Sequence, residues 1–292
     1  MAIYDCFQYF NEDHIVDIRL NILDKYVDYF VISESNMTHQ GHKKKLNFDI
    51  NNFPKFKDKI KYIVIDKEPE GIVEENNNPT LQRANSLKRV ELSYNEHFNA
   101  IKDADDNDFV MLSDNDEIPN LDSEDFKKNK NDIVIFNQLF FYFKFNLLYN
   151  KMLWPGTKGC RKKKLISFSW LRNIKFKKYP IWRIDTYFSK TKYSNLNIIK
   201  NGGWHFTNLK SPEDMFEKFM NFGHHDEFRL SGITIDKIKD KISKREMFYD
   251  HFADKSSTNK WESDYKLQNI DLNLLPEYLI NNKNKYSEWF SD

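Results

Sequence analysis

Residues 3–10 alternate apolar and polar side chains in an aromatic stretch, the period-two signature of a strand. Asn11 or Asp13 can cap the helix that follows, where Ile15, Ile18, Leu20, Ile22 and Leu23 approximate helical spacing. Residues 29–33 form a largely apolar run that predicts a buried strand closing on Glu34-Ser35-Asn36. A loop rich in Lys and Asn leads to a third strand at 61–65. Three Asn in a row and two Pro make 68–80 a surface loop. A long helix is expected over 81–100, with Arg83, Asn85, Lys88 and Arg89 near its start, and strand 109–112 follows it.

Strand, helix, strand, strand, helix, strand with short connections predicts an α/β protein with a Rossmann-like, mostly parallel, doubly wound sheet flanked by helices. The second half is less regular. Residues 133–148 predict one long aromatic strand or a hairpin, and 202–206 a short strand with a Gly pair. Between them, Trp154-Pro155-Gly156-Thr157 and the basic tract Arg161-Lys162-Lys163-Lys164 read as loop, the tract solvated or facing a phosphate-bearing acceptor. Ser211 can cap a helix with Pro212 in its first turn and Glu213 and Asp214 at its positive end. From residue 233 onward, Lys-rich helix alternates with aromatic turns. The expected division is a main domain over 1–232 and a helical C-terminal appendage, 233–292, packed on it.

The candidate chemistry sits after strand 109–112, where Asp114 and Asp116 are one residue apart. Side chains two apart on a strand face the same way. Two hard oxygen ligands then converge, which suits a Mg²⁺ or Mn²⁺ ion holding a phosphate-bearing substrate. In doubly wound sheets ligands gather beyond the carboxyl ends of the strands. Four polar groups fall at such places: Asn11 with Glu12, Glu34, Arg83 with Asn85, and Asp114 with Asp116. Glu34 can accept bonds from a ribose hydroxyl or a uracil N–H, or else cap a loop. Arg83 and Asn85 at a helix start can touch diphosphate, ribose or base, or else lie on the surface. His205, between Trp204 and Phe206, can complete a metal site or bond a leaving diphosphate, or else be a satisfied core histidine. His224 and His225 with Asp226 and Glu227 form a polar cluster without the His-Glu-x-x-His spacing of a zinc hydrolase.

Composition narrows the partners. The 45 basic and 44 acidic residues leave a net charge of +1, so nothing global draws the chain to nucleic acid or a membrane surface. Aromatic residues make up 16%, and sugar-binding proteins set aromatic faces against sugar rings, although most of these side chains belong to a core. Cys6 and Cys160, one in a strand and one in the basic loop, point to a reduced, disulfide-free protein. The N-terminus lacks a basic and apolar leader pattern, and no run approaches about 18 apolar residues. A soluble, cytoplasmic protein with no integral membrane segment is expected. Asn36-Met37-Thr38 is then a chance sequon. A haloacid-dehalogenase-like phosphatase also carries Asp-x-Asp after its first strand. It wants Thr or Val two residues further on, where Ile118 stands, and three strands precede the motif here.

Several segments together resemble glycosyltransferase family 17, which includes the β-1,4-mannosyl-glycoprotein 4-β-N-acetylglucosaminyltransferases. These are Ile3-Tyr4-Asp5-Cys6-Phe7 with Phe10-Asn11-Glu12, and Ile18-Arg19-Leu20 with Leu23. The stretch from Phe30 to Asn36 follows, with Thr38, Gly41 and Lys43, then Gln82-Arg83. Leu112-Ser113-Asp114-Asn115-Asp116-Glu117-Ile118-Pro119 and Gly202-Gly203-Trp204-His205-Phe206 complete the set. The resemblance implies an A-type glycosyltransferase fold, a divalent metal (Mn²⁺ or Mg²⁺), a UDP-sugar donor and inversion at the anomeric carbon. By that resemblance Asp114 and Asp116 match the metal-binding motif, His205 matches the histidine of the Gly-Trp-His segment, and Glu34 and Arg83 match positions beside the nucleotide; the residues themselves place His205 with the metal ligands and Asn85 and Asp114 near the donor. The expected reaction moves a sugar, GlcNAc in the family's known activity, from UDP to a hydroxyl of a glycan or glycoconjugate. Glu213, Asp226 and Glu117 are the candidate bases. The alternatives are a non-catalytic nucleotide-sugar- or glycan-binding protein of the same fold, and the phosphatase.

Overall fold

The computed structural model describes residues 1–75, 78–221, 225–253 and 258–291, without the side chains of 225, 226, 258 and 259. The first half runs β1 (Ile3–Gln8), α1 (Asp13–Leu23), β2 (Tyr29–Ser35), β3 (Ile60–Ile65), α2 (Pro79–Asn95), β4 (Phe109–Ser113) and β5 (Glu117–Pro119). After a short α3 (Glu124–Lys127) come β6 (Ile133–Tyr142), β7 (Leu147–Leu148), β8 (Trp154–Arg161), α4 (Phe168–Asn173) and α5 (Asp185–Phe188). The chain then runs β9 (Asn197–Thr207), α6 (Pro212–Asn221), α7 (His225–Ser231), α8 (Ile235–Ser243), β10 (Gln268–Asn269) and α9 (Glu277–Asn281).

Among the described residues ten strands join in one sheet, ordered β10-β7-β6-β8-β4-β1-β2-β3, with β9 on β6 and β5 on β9. The block β4-β1-β2-β3 is parallel throughout, as its helical crossovers require. β8 runs antiparallel to both β4 and β6, so the second half of the sheet is mixed. The α/β architecture, a large central sheet flanked by helices, is therefore as expected, with parallel pairing concentrated in its first half.

Strand parity sorts the side chains. Phe7 and Tyr9 of the first strand region, Phe30 and Ile32 of β2, and Phe109 and Met111 of β4 share one core with Ile15, Val16, Ile18, Leu20 and Leu23 of α1. Each such fully buried aliphatic side chain is worth about 2 kcal/mol of transfer free energy. Tyr4, Cys6, Val31, Val110 and Leu112 point to the other face, where they meet Phe168, Trp170 and Leu171 of α4. The segment after residue 232 is shared out. Ile238, Met247, Phe248 and Trp261 join Phe140, Tyr142 and Phe219, while Leu275, Leu279 and Tyr286 join the α1 side.

One strand was not legible as such. Residues 154–161, read as loop, are β8 in the middle of the sheet, and Cys160 is buried there rather than in a basic loop. Two local devices permit it. A Cβ on Gly159 would lie 2.6 Å from the Phe109 ring, so only Gly lets that ring sit against the strand. Lys158 sends its ammonium to the carbonyls of Arg172, at 2.5 Å, and Ile174, at 2.8 Å, satisfying the end of α4. No helix among the described residues is long and apolar enough to cross a membrane.

Candidate functional site

A cavity of about 490 Å³ opens beyond the carboxyl ends of β1, β2, β3 and β4. Gln8, Tyr9 and Phe10 follow β1 into its wall, Ser33 and Ser35 come from β2, Ile65 from β3, and Asp114, Asn115 and Asp116 follow β4. Leu87, Val90 and Tyr94 of α2 form one side. Phe140, Tyr142, Trp154, His205 and His251 make an aromatic side opposite.

Both aspartates thus reach one cavity, although not by strand alternation. β4 ends at Ser113, and residues 114–116 make a turn closed by Glu117 N–H donating to the Asp114 carbonyl at 3.0 Å. The turn is held from beneath by Arg19, a fully buried residue of α1. Its guanidinium makes a bidentate pair with Asp5 at 2.6 and 2.7 Å and donates to the carbonyl of Glu117 at 2.6 Å and to Ser113 Oγ at 2.8 Å. Longer contacts at 3.3 and 3.4 Å reach the carbonyls of Asn115 and Asp114. An arginine on α1 therefore fixes the backbone that aims the two carboxylates.

The two aspartates have different surroundings. Asp114 Oδ2 receives Arg172 of α4 at 2.5 Å, and Oδ1 accepts the Tyr94 hydroxyl at 3.0 Å. Partial desolvation at the cavity wall, countered by Arg172, leaves its pKa raised, and Glu117 and Asp116 add to the rise. Asp116 has looser neighbours: His205 Nε2 at 3.4 Å from Oδ1 and Lys218 Nζ at 3.9 Å from Oδ2. Burial works against its ionisation, yet His205 and Lys218 outweigh that and hold its carboxyl below the usual range. Glu12, also on the wall, takes Lys210 at 3.2 Å, Lys218 at 3.5 Å and Asn115 Nδ2 at 3.1 Å. Against the cost of burial, the two lysines bring its pKa down to about 2.

The donor set fits a hard divalent cation on one side of the motif. The contacts to Asp116 exceed the roughly 2.8 Å of a charge-assisted hydrogen bond, so its oxygens keep lone pairs for a ligand. Carboxylate and imidazole both suit Mn²⁺, and carboxylate suits Mg²⁺. Asp114 is partly committed to Arg172. Among the described residues no three His, Cys, Asp or Glu groups converge as a complete metal cage, so a cation held here needs oxygens from its substrate or water.

The other candidates fall at different places. Glu117 is fully buried behind the turn. It accepts Trp154 Nε1 at 2.7 Å and the Asp114 N–H at 3.0 Å, and it faces Arg172 at 3.3 Å. Glu34 has the opposite parity to Ser33 and Ser35 and points away from the cavity. It binds Lys44 at 2.6 Å, the Asn47 and Phe48 N–H groups at 2.9 and 3.0 Å, and the Tyr62 hydroxyl at 2.9 Å. Lys44 does line the cavity, so Glu34 reaches the site through it. Arg83 pairs with Glu227 of α7 at 2.9 Å. Asn85 is buried and holds Val73 and the Glu75 carboxylate at 2.8 and 2.9 Å, pinning the loop before α2. Glu213 is exposed and paired with Lys239 at 2.7 Å. The side chain of Asp226, like His224, lies outside the described residues.

Sequence reasoning passed over Arg19, Tyr94, Trp154, Arg172, Lys218 and His251 as site residues. His251 lines the aromatic side, 5.1 Å from the Phe140 ring, and its buried Nε2 has no hydrogen-bond partner. Burial, helped by His205, brings its pKa down to about 4. His205 stacks on Phe140 at 4.8 Å and leaves Nδ1 similarly unpartnered.

The parallel half of the sheet thus delivers carboxylates to a cavity that is part polar and part aromatic. Glycosyltransferase family 17 matches residues 1–290, so the chain belongs to that family and is a glycosyltransferase. No curated protein matches it in sequence. Among solved structures it is similar to the inositol-1-phosphate CTP transferase of T. maritima, at 12% identity and TM-score 0.35, over 75% of this chain and 96% of that one. A putative glucose-1-phosphate thymidylyltransferase from Bacillus anthracis in complex with a sucrose matches at 13% identity and TM-score 0.34, over 70% and 88% of the two chains. HddC from Yersinia pseudotuberculosis matches at 13% identity and TM-score 0.33, over 69% and 91%.

Proposed function

We propose that this glycosyltransferase is metal-dependent and inverting, and that it moves a sugar, GlcNAc by its family resemblance, from UDP to a glycan or glycoconjugate hydroxyl. The reading rests above all on Asp114 and Asp116 reaching one cavity at the carboxyl ends of the parallel strands. Asp116 and His205, with the free capacity of Asp114, would hold Mn²⁺ or Mg²⁺. When bound, such a cation offsets the charge of a departing diphosphate as a Lewis acid. Lys218 and Lys44 also line the cavity, and their ammonium groups would meet diphosphate oxygens there. Trp154 and Tyr142 offer apolar faces to a sugar ring.

The attacking hydroxyl must lose a proton, and its acceptor must stand on the cavity wall. Glu117 is sealed beneath the turn and Glu213 is engaged with Lys239. Glu12 faces the cavity but is held by two lysines, which lowers its basicity. His251 is neutral at pH 7, and its Nε2 is unpartnered. We place the acceptor sugar against Trp154, with His251 bordering it as a neutral side chain.

Donor hydrolysis screened across UDP-, GDP- and CMP-sugars with and without Mn²⁺ tests the reading. Slow release of GlcNAc from UDP-GlcNAc that needs Mn²⁺ is expected. Preference for another nucleotide would sink the donor assignment, and phosphate release from an aryl phosphate would favour the phosphatase.

A further inference from the structure

The chain as a whole is nearly neutral, but one segment is not. Residues 175–192 carry Lys175, Lys177, Lys178, Arg183, Lys190 and Lys192 against the single acid Asp185. Asp185 is itself neutralised by Arg183 at 2.6 Å and Lys192 at 2.8 Å. The same segment exposes large apolar side chains: Ile181 is 70% exposed, Trp182 78%, Ile184 72%, Tyr187 74% and Phe188 86%. Soluble surfaces scatter such residues singly, and a cluster of this kind marks an interaction site.

The cluster is built, not frayed. The segment is closed at its base where Lys175 N–H donates to the Thr191 carbonyl at 2.8 Å and Trp170 Nε1 to the Lys190 carbonyl at 2.6 Å. At its tip Tyr187 Oη–H donates to the Ile181 carbonyl at 3.1 Å, which brings both ends of the aromatic stretch together. Trp, Tyr and Phe flanked by lysines are the composition that settles at the headgroup level of a bilayer. The basic groups then face anionic lipid.

We propose that residues 175–192 dock this protein on the surface of an anionic phospholipid bilayer. Trp182, Ile184 and Phe188 enter the interface, and Lys177, Lys178 and Lys190 lie over the headgroups. The docked segment follows directly on α4, whose Arg172 holds Asp114. Acceptors carried on lipid would thus be met by the element that borders the site.

The test needs no turnover and stands apart from the transferase reading. Wild type, Trp182→Ser/Phe188→Ser and Lys177→Ala/Lys178→Ala are sedimented with vesicles of phosphatidylcholine alone or mixed with phosphatidylglycerol. All three should share one melting temperature, because the changed side chains are exposed. Wild type should pellet with the anionic vesicles and weaken with salt. The aromatic pair should abolish binding, and the lysine pair should weaken it on the order of thirtyfold. Wild type remaining in the supernatant, equal binding to both vesicle types, or unchanged binding by the variants would overturn the proposal. So would a dimer in the ultracentrifuge that the aromatic pair dissociates without any vesicle binding.

Discussion

Replacing Arg172 with Met tests how the carboxylate turn is held. The guanidinium lies 2.5 Å from Asp114, whose side chain is 38% exposed, and 3.3 Å from Glu117, which is 0% exposed. The two arms differ in worth. Water and salt screen the Asp114 arm, so its loss costs under about 1 kcal/mol. Glu117 cannot be rehydrated, and it would keep only Trp154 and the Asp114 N–H. Leaving a buried carboxylate without its cation costs about 3 kcal/mol. At roughly 2 °C per kcal/mol for a domain of this size, the melting temperature should fall by about 6–8 °C. Circular dichroism melts read this directly. Adding Glu117→Gln removes the stranded charge at the expense of one hydrogen bond worth about 1 kcal/mol, so the double variant should recover roughly half of the loss. A single variant melting within about 1 °C of wild type, or a double variant less stable than the single, would refute the reasoning.

Three further outcomes follow from other parts of the structure. Gly203 has φ +135° and opposes β5, and a Cβ there would lie 2.1 Å from the Ile118 carbonyl, so Gly203→Ala should lower the urea midpoint by more than about 3 kcal/mol equivalent. An unchanged midpoint would mean that the β5–β9 pairing is not as tight as described. Glu34→Gln takes from Lys44 its carboxylate partner, leaving it the Lys45 carbonyl, and cannot accept from all of the loop's donors, so about 3 kcal/mol should be lost, read by the same titration. Wild-type stability after that substitution would show the carboxylate to be dispensable. His251 has a folded-state pKa brought from 6.5 down to about 4, chiefly by burial. The unfolded chain therefore binds a proton that the folded one refuses, and stability is full above about 6.5 and lost as pH falls toward 4, by up to about 3 kcal/mol. His251→Gln should flatten that part of the stability profile, and an unaltered slope would place the titration elsewhere.

The parallel half of the sheet was legible because its strands are apolar runs and its crossovers are short. The paired aspartates were legible for the same reason: they end the clearest run. Their common direction follows from a turn clamped by Arg19, a contact between residues 19 and 117 that local periodicity cannot reveal. Glu34 was expected beside the donor because strand ends gather ligands. Parity turned it to the other face, and a chain reading without register cannot assign parity. β8 was hidden because Pro155, Gly156 and the basic side chains Lys158 and Arg161 look like loop, while the groups that accommodate Gly159 and Lys158, the Phe109 ring and the end of α4, are distant in sequence. Arg172 and His251 reach the site from segments with no motif. The first gave no signal beyond a charge on a short amphipathic helix, and the second none at all.

In the proposed function Asp116 helps hold a cation which in turn holds the donor's diphosphate. Calorimetric titration of UDP into wild type and Asp116→Asn, each with and without Mn²⁺, tests it most directly. UDP should bind wild type on the order of tenfold more tightly with Mn²⁺, and Asp116→Asn should lose that gain while binding UDP without Mn²⁺ as wild type does. Equal UDP affinity with and without Mn²⁺ in the wild type, or a full metal effect in the variant, would contradict the claim.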